Sequence, residues 1–301
     1  MADFVGILPA HVTPMGPDGR LNEAAFREVM EFNIRAGVDG FWVAGGTGES
    51  VLLDDEENMR IAQIAADQNR GRVKNIMHVG AATTSRAVLL AENAARAGVE
   101  AICCVPPFFY RQSDDAIVDH YRAVGAAADL PLFLYNLPDS TGVEITPNLM
   151  KKIQDGVPQL RGLKHSSPNM GNVRVFADMG LEVLIGNCSL MLPALTIGAS
   201  GCVDGPPNAA PELWVEIWNA YEAGDLPRAE AAQERASQLA TVVREFGMHA
   251  GVKAVLSERL GIDCGEPRLP TPPLAPEIKA EVLRRAEALG VGRVAVAQSD
   301  D

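Results

Sequence analysis

The sequence predicts an α/β chain folded as a (β/α)₈ TIM barrel with a C-terminal helical extension. Three observations lead there. Short apolar runs at residues 4–8, 40–44, 75–79, 101–105, 131–135, 160–164, 182–185 and 201–203 alternate with segments of helical spacing such as 22–36 and 83–97. The runs are continuous rather than alternating, as in parallel strands buried on both faces. Eight such strands with intervening helices fit a barrel. A joint also recurs: Arg35-Ala36-Gly37-Val38-Asp39-Gly40-Phe41 is echoed by Arg96-Ala97-Gly98-Val99-Glu100-Ala101-Ile102, and more weakly by Ile197-Gly198-Ala199-Ser200-Gly201-Cys202-Val203. Each copy reads as a helix end, a glycine stop and a strand start. Finally, no strand is followed by the GxGxxG turn of a doubly wound dinucleotide-binding sheet.

The barrel is expected to occupy residues 1–224. Beyond it, helical stretches at 226–246, 251–260 and 276–289, with a Pro-rich segment at 266–276, are too many for a bare barrel. Residues 225–301 are therefore read as a helical extension and not an independent domain, with the last dozen residues frayed. The length of 301 residues is ordinary for one α/β barrel. A composition 47% hydrophobic and 22% charged supports a large core.

A net charge of −13 would repel a phosphate backbone, so nucleic acid is not an expected partner. It leaves room for an anionic substrate held by a local positive site or a nest of backbone N–H groups. The five cysteines lack CxxC or Cys/His ligand spacing, so neither a disulfide framework nor a metal site is expected. They read as small buried hydrophobes in a reducing compartment. No apolar run is long enough to cross a membrane, and the opening Met1-Ala2-Asp3-Phe4 lacks a basic, then apolar, leader pattern. The expectation is a soluble, cytoplasmic protein.

Barrel enzymes place their chemistry at the C-terminal ends of strands, and three features fall there. Lys164 ends the run 160–164, where desolvation favours a neutral, nucleophilic amine. Tyr135 ends the run 131–135 and is suited to moving a proton. The turn Gly45-Gly46-Thr47-Gly48-Glu49-Ser50 follows the second run and lets backbone N–H groups converge on a carboxylate or phosphate. It is not a nucleotide-binding P-loop, because lysine is missing. Taken singly, each has a plain structural reading: a lysine reaching solvent, a core tyrosine, a tight turn.

Together the pieces Gly45-Gly46-Thr47-Gly48-Glu49, Tyr135-Asn136-Leu137-Pro138-Asp139-Ser140-Thr141-Gly142 and Gly162-Leu163-Lys164 strongly resemble the dihydrodipicolinate synthase / N-acetylneuraminate lyase family. The opening Gly6-Ile7-Leu8-Pro9-Ala10-His11-Val12-Thr13-Pro14, the late Gly251-Val252-Lys253-Ala254 and Arg268-Leu269-Pro270 match as well. The resemblance covers residues 3–290. It implies a class I lyase in which Lys164 forms a Schiff base with pyruvate, Tyr135 relays protons and Thr47 with neighbouring amides holds the carboxylate. Gly46, Tyr110, Ser140, Ser166 and Val203 complete the expected substrate-binding set. No cofactor or metal is required, because the iminium is the electron sink. The family is typically tetrameric, so a homotetramer is expected.

The chain departs from the family in ways that narrow the substrate. Gly46 stands where the family has a hydroxyl residue, and Phe109 where it has a tyrosine supplied by a neighbouring subunit. Tyr135 must then work with water, with substrate groups or with Tyr110. Ser140 replaces the arginine with which the synthase branch grips a second carboxylate, and a hydroxyl cannot replace a bidentate guanidinium. Gly186-Asn187-Cys188-Ser189 lacks both acids of the sialate branch. The run Lys164-His165-Ser166-Ser167, with Asn187, Ser189 and Asp204, is a candidate to line a polar pocket for hydroxyls. The leading expectation is retro-aldol cleavage of a 2-keto-3-deoxy sugar acid to pyruvate and an aldehyde. Cleavage of 4-hydroxy-2-oxoglutarate, with Arg111 meeting the distal carboxylate, and sugar-acid dehydration are alternatives. A silent 2-oxo acid sensor and a phosphate-binding barrel without a Schiff base are readings of other classes.

Overall fold

The computed structural model describes residues 4–294. Its eight strands are β1 (Gly6–Ile7), β2 (Gly40–Val43), β3 (Lys74–His78), β4 (Ala101–Cys104), β5 (Leu132–Asn136), β6 (Leu160–His165), β7 (Glu182–Ile185) and β8 (Gly201–Cys202). All ladders are parallel, in the order β1-β8-β7-β6-β5-β4-β3-β2. The remaining seam is closed by the parallel bridge Ala10–Trp42 and by Trp42 N–H donating to Pro9 O at 3.0 Å. The expected barrel is therefore present.

The continuous apolar runs follow from burial on both faces. Leu8, Trp42, Ile76, Cys103, Phe133, Leu184 and Val203 point inward and pack on one another within the barrel. Their neighbours Ile7, Phe41, Met77, Ile102, Leu134 and Val183 point outward into the core shared with the helices. Those helices are α1 (Glu23–Arg35), α2 (Asp55–Asn69), α3 (Thr84–Ala97), α4 (Asp114–Ala128), α5 (Pro138–Thr141), α6 (Pro147–Gly156), α7 (Gly171–Asp178), α8 (Met191–Thr196) and α9 (Pro211–Glu222). Side-chain caps start several of them: Asn22 for α1, Asp54 in a capping box with Glu57 for α2, and Thr83 for α3. The repeated joint has one physical basis: Gly37, Gly98 and Gly198 have φ of 90°, 85° and 103°, left-handed stops that a side chain disfavours.

The extension comprises α10 (Leu226–Glu245), α11 (Met248–Leu260) and α12 (Pro276–Ala288). The sequence reading found these three after the last strand and missed α9, which belongs to the barrel. The start of α9 is hidden by Pro206, Pro207 and Pro211, and Trp214 and Ile217 bury it deeply. α10 packs along α9. Lys253 of α11 reaches back to Glu49 at 2.5 Å, with both side chains 1% exposed. The Arg268 fork grips Glu57 at 2.6 and 2.7 Å. Part of the expected frayed end, 295–301, lies outside the described residues.

Candidate active site

The site begins with an irregularity in the sheet. β5 and β6 pair Leu132 with Leu160 but Phe133 with Gly162, so Arg161 is an extra residue in β6. The shift places Lys164 level with Tyr135. Without it Leu163 would take that level, and the lysine would stand one step further along. Lys164 is 3% exposed, and its Nζ lies 4.4 Å from the Tyr135 ring centre and 5.6 Å from that of Trp42. Among the described residues it forms no ion pair, so the amine is held by rings and not by a carboxylate.

The turn after β2 is shaped around these rings. A Cβ at Gly45 would stand 2.5 Å from the Trp42 ring, so a glycine is needed there. Gly46 differs: its Cβ would meet only the Tyr135 hydroxyl, at 3.4 Å. Thus the position that lacks the family's hydroxyl faces the phenol that such a hydroxyl would serve. His249 of α11 holds the turn from outside, its Nε2 donating to Gly46 O at 3.0 Å. Glu49, left-handed at φ 65°, accepts from Lys253 and from Arg268 N–H at 2.6 Å. The extension thereby fixes the loop that faces the lysine.

Three buried polar atoms in or just past β2, β3 and β6 have no partner among the described residues: Trp42 Nε1, His78 Nε2 and Ser166 Oγ. Unpaired buried groups cost about 1–3 kcal/mol each, and a ligand that bonds them recovers it. Burial, reinforced by the Lys164 charge, pushes the His78 imidazole down to about 4. A cavity of ≈ 360 Å³ opens beside Tyr135, lined among others by Gly46, His78, Phe108, Ser140 and His249, a size that suits a small ligand.

Of the residues expected from sequence, Lys164, Tyr135, Gly46, Thr47, Ser166 and Val203 gather around the inner mouth. Thr47 is 4% exposed, and Val203 belongs to the barrel interior. Ser140 lies on the outer wall of the cavity. Tyr110 does not join them: it is 72% exposed, stacked edge-on against Phe109, and Phe108 is the ring of that segment that lines the cavity. Arg111 is also exposed. Beyond β7 and β8, Asp204 accepts from Cys188 N–H at 2.8 Å and Gly205 N–H at 2.7 Å. It also pairs with Arg244 of α10, which donates to Ser189 Oγ at 3.3 Å and Asn187 Oδ1 at 3.5 Å. Ser167 turns away to Glu144. The sequence reading missed Trp42, His78, His249 and Arg244. His78 alone carried a usable signal, its place at the C-terminal end of a strand.

Such an arrangement, a buried lysine beside a tyrosine in the mouth of a parallel barrel, defines a lyase of the class I, pyruvate-dependent kind. Residues 3–289 match the Dihydrodipicolinate synthetase family, to which the chain belongs. It is 33% identical over 285 residues to a 4-hydroxy-tetrahydrodipicolinate synthase of Methanothrix thermoacetophila, covering 93% of this chain and 95% of that protein. A prophage protein of E. coli K12 from the dihydrodipicolinic acid synthase family, solved with pyruvate, superposes with a TM-score of 0.90 at 25% identity, covering 96% of this chain and 99% of that one. The wild-type sialic acid aldolase of Ruminococcus gnavus superposes with a TM-score of 0.90 at 25% identity, covering 96% and 98%. The Schiff-base aldolases and lyases are thus its family. No helix among the described residues is long and apolar enough to cross a membrane.

Proposed function

We propose that the protein cleaves a 2-keto-3-deoxy sugar acid to pyruvate and an aldehyde through a Schiff base on Lys164. The Nζ lone pair attacks the C2 ketone and water leaves, giving an iminium. Loss of the C4 hydroxyl proton breaks the C3–C4 bond. Its electrons become the C2=C3 bond and the iminium pair returns to nitrogen. Protonation at C3 and hydrolysis then release pyruvate. Tyr135 carries the protons, Thr47 and the amides of its turn hold the carboxylate, and no metal is required.

The sugar-acid reading is supported by the hydrogen-bonded set of Asn187, Ser189, Asp204 and Arg244 beyond β7 and β8. Asp204 offsets the Arg244 charge, leaving a mixed set of donors and acceptors. That set suits hydroxyls better than the second carboxylate of 4-hydroxy-2-oxoglutarate. Ser140, without a guanidinium, likewise disfavours the dicarboxylate synthesis named for the Methanothrix relative.

The helical extension bears on this site, because its residues Lys253, Arg268 and His249 hold the loop. We also infer a homotetramer: Phe109, 85% exposed at φ 78°, and the exposed Tyr110 are an apolar pair suited to a second copy. Light scattering tests the assembly. A reducing, cytoplasmic setting fits five buried thiols, each pushed up by burial.

The test is borohydride reduction in the presence of pyruvate, with the adduct located by peptide mass spectrometry, followed by a sugar-acid screen for pyruvate release. An adduct on Lys164 and turnover of a sugar acid are expected. An adduct without turnover of any 2-oxo acid would turn the reading to a sensor. No adduct, with competition by inorganic phosphate for binding, would turn it to a phosphate barrel.

A further inference from the structure

We propose that His78 is a positioning residue of this active site: its bare Nε2 accepts, through a water, the phenol proton of Tyr135 in place of the hydroxyl that Gly46 lacks. The inference rests on the Schiff-base reading and deepens it.

The geometry begins with the ring's two nitrogens. His78 ends β3, its side chain turned into the barrel mouth and only 3% exposed. The neutral ring carries one proton, and the backbone carbonyl of Ala44 is the acceptor that bears on it. Nε2 has no partner among the described residues, so with that proton on Nδ1 it presents a lone pair. A methyl group at Gly80 would stand 2.8 Å from Nε2 and 2.6 Å from Val105, so glycine there offers the ring no side chain to bond. The imidazole lies edge-to-face with Tyr135, centroids 6.3 Å apart, and both line the same cavity.

Other titratable groups of that cavity are already engaged. Glu49 is taken by Lys253 and Arg268 N–H, and the Nε2 of His249 by Gly46 O. His78 keeps an open acceptor. Its neutrality at ordinary pH has two causes, burial and the Lys164 charge.

The second cause disappears during the reaction. When the pyruvate iminium becomes the enamine, a C3–H bond breaks and its electron pair forms C2=C3. The C2=N pair returns to nitrogen, which loses its positive charge. The proton goes to Tyr135 Oη as the phenol's own proton passes through the water to Nε2. One proton has moved from C3 to His78, and the positive charge has moved from the nitrogen of Lys164 to the imidazole. The charge that reinforced burial in holding the ring neutral is gone when the ring takes the proton.

Two substitutions separate this role from a merely structural one. The amide of His78→Asn reaches the Nδ1 position and loses the acceptor at Nε2. The amide of His78→Gln reaches the Nε2 position and keeps the acceptor. The readouts are exchange of the pyruvate methyl protons in D₂O, followed by NMR, and the borohydride-trapped adduct on Lys164. With adduct yield unchanged in all three proteins, exchange is expected to fall about 10–100-fold in His78→Asn and less than about 3-fold in His78→Gln. Adding Gly46→Ser to His78→Asn is expected to restore part of the rate. The reverse order, equal losses, or wild-type rates in both variants with the adduct intact overturn the His78 role alone. If a single variant fails to fold, exchange by the other, measured against Gly46→Ser, decides by the same criterion. Absence of an adduct in the wild-type chain overturns the Schiff-base reading, and this role with it.

Discussion

The C-terminal ends of strands β2 to β5 and the turns beyond β7 and β8 carry different chemistry. The first arc presents rings and bare backbone to Lys164: Trp42, Tyr135, His78 and Gly46, without an ion pair. Beyond β7 and β8 stands a hydrogen-bonded set, in which Asn187, Ser189 and Asp204 are tied to Arg244. Trp42 Nε1 and His78 Nε2 of the first wall have no partner among the described residues, whereas Asp204 and Arg244 of the second are paired. A group kept unpaired in a buried site gains most when a reacting molecule arrives. A satisfied network is rigid and selects by shape and by exchange of hydrogen bonds. The aromatic wall is accordingly assigned to the pyruvate half, common to any substrate, and the polar wall to the tail that differs between substrates.

The comparison breaks most completely at Lys164. Lys164→Ala removes the nucleophile and is expected to abolish the trapped adduct and lower turnover by at least about 10³-fold. Adduct formation at another lysine would sink the assignment. Tyr135→Phe leaves the ring that packs on Nζ and removes only the hydroxyl. Turnover is expected to fall about 10²–10⁴-fold, with adduct formation slowed but still detectable. A fall in pyruvate affinity with unchanged turnover at saturation would make Tyr135 a binding residue only.

The polar wall is tested at Arg244, where lysine keeps the charge and loses the fork. Arg244→Lys is expected to raise KM for a sugar acid about 10-fold, roughly the worth of one charge-assisted hydrogen bond. Pyruvate trapping should be unaffected. Equal losses for pyruvate and for the full substrate, measured side by side, would show that the two walls do not divide the molecule as argued.

Tyr135 and Gly46 of the first wall were legible in the sequence and Trp42 and His78 were not; Asn187, Ser189 and Asp204 of the second were legible and Arg244 was not, for physical reasons. Strands buried on both faces leave continuous apolar runs, and a glycine stop leaves the same mark each time, so the barrel followed from local pattern. Lys164, Tyr135 and Gly46 stand at strand ends or in the first turn after one, where position along the chain is position in the site. Which residue of a strand faces inward depends on register. The extra residue Arg161, which lifts Lys164 level with Tyr135, has no signature of its own. His78 lay inside an apolar run and was read as strand. Arg244 and His249 come from α10 and α11, far along the chain from the strands they serve. Nothing local marks a helix residue that folds back over a barrel mouth. Tyr110 marks a different limit: the chain turns at Phe109 and carries it outward, to a face that local pattern does not describe.

The smallest expected effect is the most discriminating, and it lies at Gly46. The two glycines that follow Ala44 look alike in sequence and differ in the space around them. A side chain at Gly45 strikes the Trp42 ring at 2.5 Å, so Gly45→Ser should cost folding or displace the turn. A side chain at Gly46 meets nothing nearer than the Tyr135 hydroxyl at 3.4 Å, and a serine Oγ one bond further out can come within hydrogen-bond reach of it. With His78 serving the phenol, Gly46→Ser alone adds little; in protein that also carries His78→Asn it supplies the missing partner. A neutral hydrogen bond contributes about 1 kcal/mol, so in that background methyl-proton exchange of pyruvate should quicken about 5-fold. Thermal stability should stay within about 0.5 kcal/mol of that background. A rate left unchanged, in protein as stable as that background, would show that the phenol already has another partner. A slower rate with intact folding would show that the space at Gly46 is kept open for the substrate.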